Sequence, residues 1–465
     1  MTPPKRRLGI TVTAAIVVAN MIGTGVFTSA GFQAASLHDP MTILACWIVG
    51  GVLALCGAAA YAELGSMMPH AGGDYVYLRE AYHPVVGVMS GWVSMTAGFS
   101  APIAAASLAF SMYLSRMIPD LASHRREVAI GLILAITTLH VFDSKVGGWV
   151  QAVFTAVKVL LIVGFIFAGL AAGSGDWHNL ASQAGGLNNI ATTAFATSLM
   201  YVSFAYSGWN AAAYIANEVK RPERTLPRAL LLGTCTVMTL YVLLNLVFLY
   251  ATPVGTLAGG DGPPVVEVGD VAARSLFGAS AANVASSVIA LALVSSVSAM
   301  IMAGPRVYAA MAADHALPHQ LAHTNKRGVP VIAVVAQGVF AALLVVFAEL
   351  GFLLRLIGFT LTIVTALAVG AVFVFRARGH KAAYRTWGYP VTPVVFILLS
   401  IWIAYSQIKS QPKESAIGLG IIVGGLALCL AFVKRPATSA LWNPARDLPE
   451  ARVVADDDRM PPPPK

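Results

Sequence analysis

Apolar positions in this chain come in long runs rather than in strict alternation. Runs of about 18 residues, the length a helix needs to cross a bilayer, lie near 10–34, 41–67, 85–114, 127–142, 149–172, 190–216, 229–252, 283–304, 330–348, 351–375, 391–408 and 415–433. Short polar connections separate them. The pattern predicts an all-α integral membrane protein of twelve spans. One transmembrane domain covers 10–435, with helices one to five in about 10–172, six to ten in about 190–375 and two more in 391–433. Residues 1–9 are expected to be a cytoplasmic N-terminus. Beyond Arg435, "ATSALWNPARDLPEARVVADDDRMPPPPK" turns polar and proline-rich, which predicts a disordered cytoplasmic tail over 436–465. The longest external loop, about 253–282, is rich in Gly, Pro and acids.

Two of the runs are interrupted. "NMIGTGVFTSAG" places Gly23, Thr24 and Gly25 inside the first run, and "FAYSGWN" places Ser207 and Gly208 inside the sixth. Glycine is poor in helix interiors, although in membranes it also lets helices approach closely. Two interruptions five spans apart fit an inverted five-plus-five repeat with broken first and sixth helices. Backbone freed by such breaks cannot face lipid and must line a cavity or a ligand. N–H groups at a half-helix start attract a carboxylate, and free carbonyls accept from an ammonium. Together they suit a zwitterionic amino acid without any charged side chain.

Composition agrees with the membrane reading: 57% of residues are hydrophobic, 11% are charged and mean hydropathy is +0.73, against about 25% charged in soluble domains. The net charge of +9 raises nucleic acid as a partner. With the N-terminus inside, however, Lys and Arg favour the inner side by about three to one, so the basic charge follows topology. Lys5-Arg6-Arg7 precedes the first run as in a signal peptide, but eleven more runs follow and that run is read as a retained span. Cys46, Cys56, Cys235 and Cys429 all fall within runs and read as small buried apolar residues.

Several segments resemble a known family. "MIGTGVF" resembles the first-helix motif of the amino acid–polyamine–organocation superfamily. "YAELGSMMPHAGGDYVYLREAY" (61–82), "FAYSGWNAAAYIANEVKRPERTLPRAL" (204–230) and "GPRVYAAMAADHALPHQLAHTNKRGVP" (304–330) resemble its L-amino acid transporter family. The likeness runs from about 8 to 435. It implies a leucine-transporter-type fold with alternating access and sodium-independent exchange or facilitation of amino acids. Carried onto this chain, it implies that the Gly23, Thr24 and Gly25 N–H groups and the Thr24 hydroxyl bind the substrate carboxylate. The ammonium would go to carbonyls of Met21, Phe204 and Ser207, with Ile22 and Ala205 in the same breaks. Phe204 would gate the site. Asn210 would bond the unwound backbone, a substrate side chain or a neighbouring helix.

Lys158 lies about nine residues into its run, about 14 Å deep, where an isolated charge costs at least about 2.5–3.5 kcal/mol. The resemblance gives it a role: a fixed ammonium where sodium-coupled relatives hold a cation, bridging carbonyls near Gly23 to Ser295 or Ser298 of "VSSVSAM". A proton-carrying role stays open, because buried lysines titrate readily.

Glu63, Asp143 and Glu218 fall at inner ends of spans, with no acid at mid-span. That favours an exchanger or facilitator of neutral, small to medium L-amino acids. The alternative is a proton-coupled symporter with Lys158 as its proton-responsive group. Glu63, Asp74 and Glu218 are expected in inner networks with Arg79, Lys220 and Arg221. Ser100, Ala101, Ser207, Ala299 and Ile357 are candidate pocket walls. His315, His319 and His323 have metal-like spacing, but Pro318 breaks their helix, so neither metal nor cofactor is expected. "MIPDLASHRRE" lacks the cysteine by which animal relatives join a glycoprotein, which implies no disulfide-linked heavy chain and a bacterial-type protein acting alone in the cell membrane. An enzyme would need converging mid-membrane nucleophiles, acids or metal ligands, and Lys158 alone supplies none of these sets. A sensor would bind without flux.

Overall fold

A computed structural model describes residues 8–68, 73–142, 146–182, 186–313, 317–325 and 328–432. Lys5 to Arg7, Asp143, Lys145, His315 and the tail over 436–465 lie outside the described residues. The chain runs through α1 (Ile10–Met21), α2 (Thr24–Leu37), α3 (Pro40–Met67), α4 (Asp74–Ala81), α5 (Pro84–Val93) and α6 (Ala101–Met117). It continues through α7 (Arg125–Phe142), α8 (Val146–Ala172), α9 (Thr193–Ala205), α10 (Ala211–Tyr214), α11 (Pro222–Ala251) and α12 (Val254–Leu257). The last elements are α13 (Val268–Phe277), α14 (Ala279–Ala313), α15 (Val331–Phe347), α16 (Leu350–Ala377), α17 (Val391–Ser410) and α18 (Pro412–Phe432).

The described residues form a multi-pass helical membrane protein. Seven stretches are long and apolar enough to cross a membrane, and the bent α1–α2 pair makes an eighth. α9 and α15 are shorter apolar helices. The sequence reading missed α4, α12 and α13, which are too short to span. α13 fills part of the supposed 253–282 loop and buries Val268, Ala272 and Leu276 at helical spacing.

Helix starts and breaks follow local chemistry. Asp39 caps α3 by accepting from the Thr42 N–H at 2.8 Å, and Pro40 occupies the first turn, where no N–H is needed. Between α5 and α6 the chain makes a π-helical segment, Ser94–Ser100. Pro102 has no N–H for the carbonyl one turn earlier, and the Ser100 hydroxyl donates to the Met95 carbonyl at 2.7 Å within the π-segment.

The first run bends by 41° between α1 and α2. Ile22 and Gly23 are extended there, with φ of −73° and −139°. The sixth run leaves the α-helix at Ala205 and resumes only for the four residues of α10 and a 3-10 turn, Ala216–Glu218. Gly208 turns the chain at φ +97°, and a Cβ there would lie 2.8 Å from the Asn20 carbonyl oxygen, so both conformation and space demand glycine.

Candidate functional site

The two interruptions touch. A Cβ added to Gly25, at the start of α2, would lie 2.5 Å from the Ala205 Cα at the end of α9. Beside this contact lies a cavity of about 870 Å³ bordered by Phe204, Ser207 and Asn210 from the sixth-run break and by Asn20 from the end of α1. On α1, Val12, Ala15, Ile16, Ala19 and Asn20 form one helical stripe along it. Val12, Ala15 and Asn20 are exposed although they face the cavity, so it opens along α1. Its mouth carries Leu8, Glu218 and Arg306, where the Leu8 N–H donates to the Glu218 carbonyl at 3.1 Å. At the other end α2 seals against α9, with the Phe32 and Tyr201 rings stacked at 5.3 Å.

The cavity collects part of the site expected from sequence. Met21, Ile22, Gly23, Thr24, Gly25 and Ala205 do not border it; they lie behind Asn20 and Phe204, where α2 packs on α9. The Met21 carbonyl accepts from the Tyr241 hydroxyl of α11 at 2.6 Å, and that hydroxyl also meets the Gly23 N–H. The first N–H groups of α2 have no acceptor one turn earlier. The Thr24 hydroxyl is buried without a partner, the sort of group a ligand satisfies. The Phe204 carbonyl accepts from the Ser207 N–H at 2.9 Å, which uses one of its lone pairs.

Lys158 is 1% exposed. Its Nζ donates to the Ile22 carbonyl at 3.2 Å and to Ser296 Oγ at 2.8 Å. The ammonium therefore ties α8 to the first-run break and to α14, through Ser296 rather than Ser295 or Ser298. Successive residues on a helix point about 100° apart, so one of the three serines can face α8. Ser298 points to α7 and pairs with His140 Nε2 at 2.9 Å. Ser295 Oγ is buried without a partner.

Of the five candidate wall residues, Ser207 and Ala299 border the cavity, whereas Ser100, Ala101 and Ile357 do not. Each miss is a matter of helical phase: Phe99, Pro102 and Gly358 line it instead, because the π-segment shifts the register around Ser100. Glu63 and Asp74 also pair differently from expectation. Glu63 takes Arg376 through two bonds of 2.7 Å and the Thr386 N–H at 2.6 Å. Arg79 pairs with Glu80 at 2.9 Å. Asp74 accepts from Tyr61, from Tyr214 at 3.1 Å and from the Asn210 amide. Asn210 thus takes the interhelical role among those open to it. His319 and His323 sit at a 3-10 turn with their rings 5.1 Å apart.

Sequence reasoning missed the aromatic cluster that joins the two breaks. Trp47 of α3 meets Tyr206 at 5.8 Å and Tyr241 at 5.6 Å, and the Tyr206 hydroxyl donates to the Trp47 carbonyl at 3.1 Å. Tyrosines inside apolar runs were the available signal, since a buried hydroxyl seeks an acceptor.

The arrangement offers backbone donors, backbone carbonyls, a fixed ammonium and an open cavity, which is equipment for binding and passage. The chain matches the amino acid permease family over residues 8–429. It is 28% identical over 443 residues to the serine/threonine exchanger SteT of Bacillus subtilis (strain 168), covering 93% of this chain and 98% of that protein. It is 29% identical over 444 residues to the b(0,+)-type amino acid transporter 1 of Mus musculus, covering 93% and 89%. The large neutral amino acids transporter small subunit 2 of Homo sapiens is 26% identical over 431 residues, covering 91% and 79%. These relatives are transporters, not enzymes. The chain belongs to the amino acid permease family, within the amino acid–polyamine–organocation superfamily.

Proposed function

We propose that this protein is a sodium-independent transporter of neutral L-amino acids that works by alternating access as an exchanger or facilitator. The observation that carries the reading is the meeting of two broken helices beside one open cavity, with Lys158 bridging Ile22 and Ser296 next to them. In this account the α1–α2 and α9–α10 pairs are the broken first and sixth helices of a five-plus-five repeat within twelve spans. The N-terminus and tail lie in the cytoplasm, the cavity mouth faces inward, and the protein acts in the cell membrane without a disulfide-linked partner.

The substrate carboxylate is held by the N–H groups of Thr24 and Gly25, by that of Gly23 once it exchanges the Tyr241 hydroxyl for the substrate, and by the orphaned Thr24 hydroxyl. Its ammonium is held by carbonyls of Met21 and of the Phe204–Ser207 segment, under a Phe204 gate. Because these residues lie behind the open cavity, substrate reaches them as Asn20 and the Ser207 segment shift during the cycle. Lys158 supplies a positive charge permanently, which removes the need for sodium. One observation favours the symporter alternative: the partners of the Lys158 ammonium are a carbonyl and a hydroxyl, and neither is a carboxylate that would pair with its charge.

The test is uptake of labelled serine, alanine or leucine into liposomes with no sodium or proton gradient, with and without unlabelled amino acid inside. Uptake raised strongly by internal substrate supports exchange. Uptake that stays negligible until an inward proton gradient is imposed transfers the assignment to symport.

A further inference from the structure

Asp74 opens α4, between the spans of α3 and α5, and is 4% exposed, yet it borders the cavity. Three donors converge on its carboxylate from three segments: Tyr61 of α3, Asn210 of the unwound stretch and Tyr214 of α10. The surroundings are built for this. Gly73, at φ +50°, leaves room for the Tyr214 ring, which a Cβ would meet at 2.5 Å, and Trp209 packs edge-on against Tyr61 at 4.7 Å.

We propose that Asp74 is a positioning residue for transport: its ionised carboxylate holds the 206–210 segment through Asn210 and Tyr214, and protonation of this group releases that hold and weakens substrate binding. The inference rests on the transporter reading above.

The chemistry is one of matching. An ionised carboxylate only accepts, and its three neighbours all donate. A protonated carboxyl brings a donor of its own, so one contact is lost. Burial pushes the Asp74 carboxyl up to about 6, partly offset by the bonds from Tyr61, Tyr214 and Asn210, which puts the change within reach of ordinary acidification. The charged groups nearby are committed elsewhere or stand at the cavity mouth. Arg79 is with Glu80, Arg376 is with Glu63, and Glu218 and Arg306 edge the opening. Tyr77 lies beside Tyr61, and burial raises its hydroxyl above the ordinary tyrosine range. His83, before α5, accepts from the Val85 N–H. His70, four residues earlier in sequence, lies outside the described residues and serves as the control.

The experiment measures exchange KM for alanine, a zwitterion throughout, in liposomes at about pH 5 and about pH 7.5. Wild type is expected to show KM raised about three- to tenfold at the lower pH, one lost hydrogen bond. Asp74→Asn is expected to have the raised KM at both values, and Asp74→Glu to restore the pH response. Tyr214→Phe removes a donor to the charged form, so the midpoint should move to higher pH; this variant serves if Asp74→Asn does not fold. His70→Gln should leave the profile as in wild type. A profile unchanged in Asp74→Asn, unmoved in Tyr214→Phe or abolished by His70→Gln overturns the inference. Absence of exchange in wild type at both pH values would instead sink the transporter reading.

Discussion

Gly25→Ala isolates the contact between α2 and the end of α9, where the two interrupted runs meet. The added Cβ would lie 2.5 Å from Ala205 Cα, 2.6 Å from its Cβ and 3.0 Å from its backbone N. Carbon atoms settle near 3.5–4.0 Å, so the first turn of α2 must retreat from α9 by about 1 Å. Backbone faces it, and no flexible side chain can give way. Overpacking of this kind costs about 1–3 kcal/mol, and Gly25→Val costs more. Loss of transport in Gly25→Val would follow from this packing before any intrusion on the carboxylate site. Gly23→Ala is the control. Gly23 is extended, and its added Cβ would meet only the Met21 carbonyl oxygen, at 3.9 Å, so its melting temperature should match wild type. Thermal unfolding in detergent and liposome exchange should be read on the same preparations. Gly25→Ala should melt earlier and transport poorly, while Gly23→Ala should melt normally and lose substrate affinity. A Gly25→Ala protein that melts and transports like wild type would refute the packing argument.

Other consequences follow from particular contacts. Lys158→Met keeps the bulk but removes both bonds to Ile22 and Ser296; exchange at saturating substrate should fall at least about tenfold, since charge-assisted bonds are worth about 1.5–3 kcal/mol, and tracer exchange reads it. Ser296→Ala should slow exchange several-fold while Ser298→Ala, which loses only the His140 contact, should not. Tyr241→Phe frees the Met21 carbonyl at a cost of about 1 kcal/mol and should raise KM more than it lowers the maximal rate. Glu63→Gln breaks the paired bonds to Arg376, whose side chain is 22% exposed, and should lower the melting temperature by an amount matching about 1–3 kcal/mol.

The runs of apolar residues revealed most of the architecture, because a bilayer demands length and composition that the eye can count. Both interruptions were legible for the same reason: Gly23, Gly25 and Gly208 stand out within apolar helices. Helical phase was not legible. "VSSVSAM" holds three serines on one turn, and only packing decides that Ser296 faces Lys158. Ser100 and Ile357 miss the cavity by one position, and at Ser100 the cause is a π-segment without a sequence period of its own. Asp74 was read as part of a charged network because "GGDYVYLREAY" contains Arg79. In the fold its neighbours are Tyr61 and Tyr214, brought from other segments by packing. The short helices α4, α12 and α13 hid in connections because a bilayer-length window passes over elements of ten residues or fewer.

The central claim is that backbone at the two breaks grips both charged ends of an amino acid. Competition against labelled serine bound to the purified protein tests it most directly, using unlabelled serine, its methyl ester and the corresponding hydroxy acid without the amine. If both ends are held by charge-assisted bonds, either alteration should weaken binding by about a hundredfold or more. An ester or hydroxy acid that competes as well as serine would contradict the account.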